Sequence, residues 1–408
     1  KKLAETDCVN CGQCAAVCPT AAIRIQTCHN SVWRELYNPK KRVVAQVAPA
    51  VRVAIGEAFG MKPGEDSIGR VFTAMRMMGF DDVFDTCLGA DLTIMEEAQE
   101  LAEKLERDAA AEAAAGAEGE AQETASGKKI SFPLFTSCCP AWIRYAENLH
   151  PEVLPYISTC KSPMEMFGAV IKEYYKEQDE KEGRQTVSVA VMPCVAKKME
   201  AGREEFIRNG VPDVDYVITT KELIRMIRES GIRFDEIDPE APDMPFSISS
   251  GAGVIFGVTG GVTEAALRRL VKEKNTQTLR DIKFSGIRGM EGVKAAEMEL
   301  DGRKVRIGVV SGLGNADTLI EKIKSGEEHF DFVEVMACPY GCIAGAGQPF
   351  CHKTDKKERL KGMYKSDNAA PIKRSEENPV VYNLYHGGVL EGRAHELLHV
   401  HYKGAETP

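Results

Sequence analysis

Val187-Ser188-Val189-Ala190-Val191-Met192-Pro193-Cys194-Val195-Ala196-Lys197-Lys198 and Phe332-Val333-Glu334-Val335-Met336-Ala337-Cys338-Pro339-Tyr340-Gly341-Cys342 are built alike. Each begins as a short apolar, β-branched run of the kind that forms a strand buried on both faces, and each passes straight into a cysteine-bearing turn. A third run, Phe132 to Phe135, leads in the same way into Thr136-Ser137-Cys138-Cys139-Pro140-Ala141-Trp142. Further strand candidates lie at Val43 to Pro49, Val214 to Ile218 and Val305 to Val310, with helical patterns between them, including a Gly-punctuated region from Ile55 to Phe80. Strands alternating with helices predict an α/β core with largely parallel sheets. Open α/β sheets place their sites at the carboxyl ends of strands, where these five cysteines stand. Four thiolates suffice for a 4Fe-4S cubane, leaving one thiol over for chemistry.

Composition narrows the class. The 408 residues carry 52 Lys plus Arg against 61 Asp plus Glu, a net charge of −9, with 43% hydrophobic residues. This is a globular composition, and the acidic balance argues against a general nucleic-acid binder. No stretch approaches the roughly 18 consecutive apolar residues of a spanning helix, so a soluble, cytoplasmic protein with no membrane partner is expected. No leader pattern opens the chain, and a start at Lys1-Lys2 without Met reads as trimmed. Thirteen cysteines, an odd number in tight clusters, disfavour a secreted disulfide framework and point to metal or redox chemistry.

The first cluster is Cys8-x2-Cys11-x2-Cys14-x3-Cys18-Pro19. This spacing is the bacterial ferredoxin pattern, in which the first three thiolates hold one 4Fe-4S cluster and the fourth serves another; zinc sites use paired knuckles instead. Only one such run is present. An upstream run removed with the start of the chain is the expected source of the missing ligand, with Cys28 as the alternative. One segment breaks the α/β alternation: after Ala98, Leu101 and Leu105 at helical spacing, residues 106–127 form an Ala, Glu and Gly tract, expected to be a solvated, mobile insertion.

The three cysteine loops, with the third continuing Ile343-Ala344-Gly345-Ala346-Gly347-Gln348-Pro349, resemble in order and spacing the signature loops of the iron-only (FeFe) hydrogenases. The resemblance extends through Ala48-Pro49-Ala50-Val51-Arg52-Val53-Ala54-Ile55-Gly56-Glu57, Ser250-Gly251-Ala252-Gly253-Val254-Ile255-Phe256-Gly257 and Glu391-Gly392-Arg393-Ala394-His395-Glu396, and so covers nearly the whole chain. It implies a small N-terminal ferredoxin-like α+β segment over 1–40. An H-cluster domain over 41–350 follows, with two lobes of mostly parallel twisted sheets flanked by helices, and then a helical small-subunit-like segment over 351–408.

The resemblance also implies roles. Cys139, Cys194, Cys338 and Cys342 would hold the H-cluster cubane, with Cys342 bridging to a two-iron subsite that carries CO, cyanide and dithiolate ligands. Cys138 would pass protons to it, Lys197 would face a cyanide, and Met192, Met336, Pro49, Ala50, Phe256 and Gln348 would surround the cofactor. Protons would travel from the pair Glu97 and Glu100 through Ser158 to Cys138. Electrons would enter through the N-terminal 4Fe-4S cluster from a ferredoxin or other redox protein. The implied activity is reversible interconversion of H2 with protons and electrons in anaerobic hydrogen metabolism, the subsite being inserted by maturation proteins.

Read without the resemblance, Glu97 and Glu100 are a solvated helix face, and Met192 and Met336 are core filler. Ala346 stands where the commonest pattern has glycine and Met164 where many members have glutamine, while Tyr340 and Ile343 are bulkier than in the best-known members. These departures suggest a divergent subgroup. Cys28, Cys87, Cys160 and Cys351 receive no role, and His395 and His399, although spaced to bind a metal, read as structural. Two other functions compete. The first, an H2-sensing relative, is disfavoured by Cys138, Glu97 and Glu100. The second, a non-enzymatic iron-sulfur assembly protein, is disfavoured by the intact Met192-Pro193-Cys194-x-x-Lys197 loop and the glycine-rich third loop.

Overall fold

A computed structural model describes residues 3, 6–115, 132–290, 292–300 and 302–403. Its strands are β1 (Lys41–Val47), β2 (Asp82–Asp85), β3 (Leu134–Phe135), β4 (Gln185–Met192), β5 (Ile207–Arg208), β6 (Val211–Pro212), β7 (Tyr216–Thr219), β8 (Val293–Leu300), β9 (Arg303–Ser311) and β10 (Phe332–Met336). They build two four-stranded sheets, in the orders β2-β1-β4-β7 and β3-β10-β9-β8, with β5 and β6 as a separate hairpin. The first sheet is parallel throughout. The second is parallel except for the antiparallel pair β8 and β9. This is the expected α/β architecture of two sheets flanked by helices.

Burial explains which strands announce themselves. In β1 every residue after Lys41 is buried, and in β4 every residue after Gln185, so both read as continuous apolar runs. On one face of this sheet Val43, Val189 and Val191 pack with Phe72, Met75 and Ile227. On the other, Val44 packs with Phe84, Phe167 and Leu397. Trp142 and Ile320 join Val333 and Val335 in one core of the second sheet, and Leu267 and Ile282 join Val305 and Ile307 in another. The strand candidates have no β2, which is only four residues long, and no β8. β8 has one wet face and alternates charged with apolar residues, as an antiparallel edge can.

One expectation is corrected. Residues 106–115 of the Ala/Glu tract are not an irregular insertion: they extend the helix Cys87–Ala115, because Ala, Glu and Arg are strong helix formers. The remainder of the tract, 116–127, lies outside the described residues. In the ferredoxin-like segment, the described residues before Lys41 form the helices Gln13–Val17 and His29–Leu36 and no strand. Among the described residues, no helix is long and apolar enough to cross a membrane.

The C-terminal segment is tied to the third cysteine loop by buried charge. From the helix Lys353–Ala369, Arg359 donates to both Glu57 oxygens at 2.7 and 2.6 Å and to Ile343 O, beside Cys342, at 2.9 Å. The Arg359 side chain is fully buried. Glu57→Ala strands that guanidinium without its carboxylate and should cost about 3–5 kcal/mol in urea unfolding followed by circular dichroism. Arg225→Ala, which breaks the exposed Arg225–Glu229 pair, should cost under about 1 kcal/mol in the same assay.

Candidate active site

β1, β3, β4 and β10 all deliver their carboxyl ends to one place. The loops that follow, together with Phe256, line a cavity of about 90 Å³. Cys138, Cys139, Cys194, Cys338 and Cys342 all line it, so the five loop cysteines do converge. Pro49, Ala50, Met164, Met192, Phe256 and Met336 supply apolar wall, and Lys197 is the one charged residue on it. Gln348 is not part of the wall. Its Nε2 donates to Ala50 O at 2.8 Å and so fixes the Pro49-Ala50 turn from behind.

The third loop is shaped by close approach. A Cβ at Gly345 would lie 2.2 Å from Pro193 O, and one at Gly347 would lie 2.9 Å from Pro193 C, so both positions must stay bare. The side chain of Ala346 faces Gly12 instead, where an added Cβ would lie 3.1 Å from the Ala346 Cβ. The extra methyl therefore points at the N-terminal segment. Between Cys338 and Cys342 the backbone turns through positive φ at Tyr340 (74°) and Gly341 (78°). For a residue as bulky as tyrosine this costs about 1–2 kcal/mol, and the Lys356 ammonium lies 5.4 Å from the centre of the Tyr340 ring.

The electrostatics favour a metal. Burial raises the Cys139 thiol, pushes Cys194 up to about 12, and raises Cys338 and Cys342 as well. Cys194, Cys338 and Cys342 are raised further by charge on neighbouring cysteines. Lys197 works the other way on Cys139, Cys194 and Cys342. Its own charge is opposed by burial but held by Glu200, to whose Oε2 it donates at 2.6 Å; it also donates to Cys138 O at 3.2 Å. One ammonium cannot balance four thiolates. A set of soft sulfur donors that only bound cations can ionise fits an iron-sulfur cubane. Cys138, raised by burial and then by Glu97, stays a neutral S–H on the same wall.

The N-terminal run docks against this site. Burial raises Cys11, and Cys14 and Cys8 add to the shift, which places these three thiols together. Cys18 is turned away to Thr20 Oγ1 at 3.5 Å, and chiefly that hydroxyl lowers it to about 6. Cys28 donates to Val217 O at 3.0 Å and accepts from Lys198 at 3.3 Å. Gln13, between Cys11 and Cys14, donates from Nε2 to both Cys338 Sγ and Ala344 O at 3.1 Å. One side chain thus spans the two cysteine centres.

Behind Cys138 lie the carboxyls. Glu97 is almost completely buried, and burial, with Glu100 next, pushes it up to about 8. Its Oε1 accepts from Ser137 N at 3.4 Å, and its Oε2 has no partner. Burial also acts to raise Glu100, but His399, Ser158 and Thr159 outweigh it and hold the carboxyl low. Ser158 interacts with both glutamates. The sequence reading lacks Thr159, which binds Glu100 through both its N–H (3.0 Å) and its hydroxyl. It also lacks Glu96 and takes His399 as structural. Glu96 adjoins Glu97 in sequence, but no local signal joins it to a histidine some 300 residues away.

Comparison with known proteins agrees with this geometry. Residues 41–346 match the iron only hydrogenase large subunit, C-terminal domain; residues 353–404 match the iron hydrogenase small subunit; residues 3–24 match a 4Fe-4S binding domain. The chain is 44% identical to the NADP-reducing hydrogenase subunit HndD of Solidesulfovibrio fructosivorans, over 98% of this chain and 66% of that one. It is 40% identical to iron hydrogenase 1 of Clostridium pasteurianum, over 94% and 65%. The chain therefore spans just under two thirds of the length of these two relatives. At 28% identity, it also matches the cytosolic iron-sulfur assembly component 3 of Mus musculus over its whole length and 85% of that protein. Among solved structures, the apo FeFe hydrogenase HydA1 from Chlamydomonas reinhardtii superposes with a TM-score of 0.76 at 37% identity, covering 94% of this chain and all of that one. Converging strand ends, a thiol-lined cavity, a docked ferredoxin-type run and these matches place the chain in the iron-only (FeFe) hydrogenase family.

Proposed function

We propose that the protein is an active hydrogenase that interconverts H2 with protons and electrons at an H-cluster. The observation that carries this reading is the apolar cavity whose wall bears four convergent thiols, a fifth, protonated thiol and the Lys197 ammonium. Cys139, Cys194, Cys338 and Cys342 would hold the cubane, with the Cys342 thiolate shared with a two-iron subsite carrying CO, cyanide and dithiolate ligands. When bound, the cluster supplies the cleavage and formation of the H–H bond and stores the electrons. Lys197, already paired with Glu200, would donate to a cyanide and neutralise part of its charge. Met192, Met336, Phe256 and Pro49 keep water from the reacting face.

The residues of the chain move the protons. Cys138 holds one on sulfur at the cavity wall, and Glu97, with a pKa near the working pH, exchanges protons with it from behind. Ser158, which lowers both carboxyls, would pass protons between Glu97 and the ionised Glu100. Electrons would pass from the cluster on Cys8, Cys11 and Cys14 towards Cys338, and a ferredoxin or similar redox protein would supply them. Maturation proteins would insert the subsite, and the cytoplasm of an anaerobic cell is the expected setting. The division into segments 1–40, 41–350 and 351–408 belongs to the same reading. The match to the iron-sulfur assembly component supports a second reading, cluster carriage without turnover. The fifth thiol on the cavity wall, which a cubane would not need, favours turnover.

Two measurements test this. Matured protein supplied with reduced viologen should evolve H2, and Cys138→Ala should lower the rate by about 10²–10⁴-fold with iron content unchanged; an unchanged rate removes Cys138 from the route. Glu97 also sets a pH signature. Its folded pKa is raised from 4.5 to about 8, so between those values the folded chain keeps a proton that the unfolded chain releases. Its contribution to stability is therefore fully present below about pH 4.5 and declines as pH rises towards 8. Glu97→Gln should flatten that decline in urea titrations and also slow H2 evolution.

A further inference from the structure

His399 is the residue in the small-subunit-like segment that the proposed reaction does not use, and it joins two groups that otherwise do not meet. Its side chain is only 7% exposed. Nε2 lies 3.0 Å from Glu96 Oε2, and Nδ1 lies 2.7 Å from Thr159 Oγ1 and 3.6 Å from Glu100 Oε1. The Thr159 hydroxyl donates to Glu100, so its oxygen is left to accept from Nδ1–H. Glu96, whose other oxygen accepts from the Tyr385 hydroxyl, accepts from Nε2–H. Both ring nitrogens thus face acceptors, an arrangement that asks for the doubly protonated imidazolium. The other titratable groups around the ring are Cys160, paired with His399 across an isolated β-bridge, and His395, whose ring stacks at 4.6 Å. Burial opposes the ring's charge, but Glu100 and Glu96 outweigh it and raise the pKa to about 9.

The outer end of this network opens to solvent. Glu96 and Tyr385 line a surface cavity of about 820 Å³ together with Gln99, Arg269, Glu376 and His386. We infer that His399 is a proton relay which connects this surface cavity, through Glu96, to Thr159 and Glu100, and so feeds the inner route from the C-terminal segment. For an inward proton, Glu96 takes one from water in the cavity. The imidazolium releases its Nδ1 proton to the Thr159 oxygen as the Thr159 hydroxyl proton passes to Glu100, which leaves a neutral ring protonated on Nε2; exchange with water moves that ring proton from Nε2 to Nδ1, the Thr159 hydroxyl turns back, and the freed Nε2 takes the proton from Glu96. The net result is one proton moved from the cavity to Glu100, with Glu96, His399 and Thr159 restored. H2 oxidation runs the same steps outward. The inference rests on the hydrogenase reading for what the protons are used for, but the hydrogen-bonded chain itself does not.

The test has two arms, both on cluster-loaded protein. In the first, 15N NMR of histidine-labelled protein, with His399→Gln to assign the signal, should show both His399 nitrogens protonated at pH 7.5; a neutral ring overturns the relay. In the second, His399→Ala should evolve H2 at least about 10-fold more slowly with unchanged iron content. Added imidazole should restore the rate in proportion to its concentration, and substituted imidazoles should do so in an order set by their pKa values. An unchanged rate, or a loss that no imidazole repairs, overturns the relay; the latter leaves His399 a positioning residue for Glu96 and Glu100. Wild-type protein that evolves no H2 would instead refute the hydrogenase reading, and the NMR arm would still decide the protonation of His399.

Discussion

Four cysteine sulfurs turned into one apolar cavity are the constraint from which the rest of the structure follows. A thiolate in a low-dielectric wall is costly, and several together are worse, so burial and mutual repulsion drive these groups towards the neutral thiol until cations bind among them. The sulfurs must therefore be held in place by something other than their own attraction. The two sheets provide it: β4 and β10 are paired on both sides, β3 pairs with β10 at the sheet edge, and the cysteine turns start from these anchored carboxyl ends. Gly345 and Gly347 lie against Pro193, which locks the second and third loops together. Arg359 and Glu57 fasten the same loop to the C-terminal segment.

The same low dielectric sorts the ionisable groups behind the cavity. Glu97 and Glu100 are one helical turn apart on the same helix, yet their environments push them in opposite directions. Each carboxyl leaves one oxygen without a partner, so that does not separate them; Glu97 is the more deeply buried and has no cation, so it keeps its proton, whereas Glu100 faces an imidazole and two hydroxyls, so it releases its own. A proton holder beside a proton acceptor is what a transfer chain needs, and it comes from burial and hydrogen bonding rather than from residue type. The N-terminal run shows comparable economy, since Gln13 binds the sulfur of Cys338 from between Cys11 and Cys14.

Much of this was legible in the residues, and the exceptions share a cause. Strands β4 and β10 are readable because both faces are buried and a cysteine turn ends each; β8 is not, because its wet face carries the charges of a surface segment. The helix through Ala115 was hidden because a run of Ala and Glu is as compatible with a solvated coil as with a helix that packs further back along its length. Of the residues expected around the cofactor, Pro49, Ala50, Phe256, Met192 and Met336 reach the cavity, whereas Gln348 acts one step behind it. Thr159, Glu96 and His399 could not be found from spacing, since their partnership is made by the β-bridge between Cys160 and His399.

The central claim is that the space beyond the four cubane sulfurs is built for a two-iron group bearing diatomic ligands. Infrared spectroscopy of the protein produced together with hydrogenase maturation proteins tests it most directly. Sharp bands in the region of CO and cyanide stretches, altered when the gas is changed from argon to H2, are the expected result. A protein that carries its full complement of 4Fe-4S iron and shows no such bands would contradict the claim and leave the cavity to cluster carriage alone.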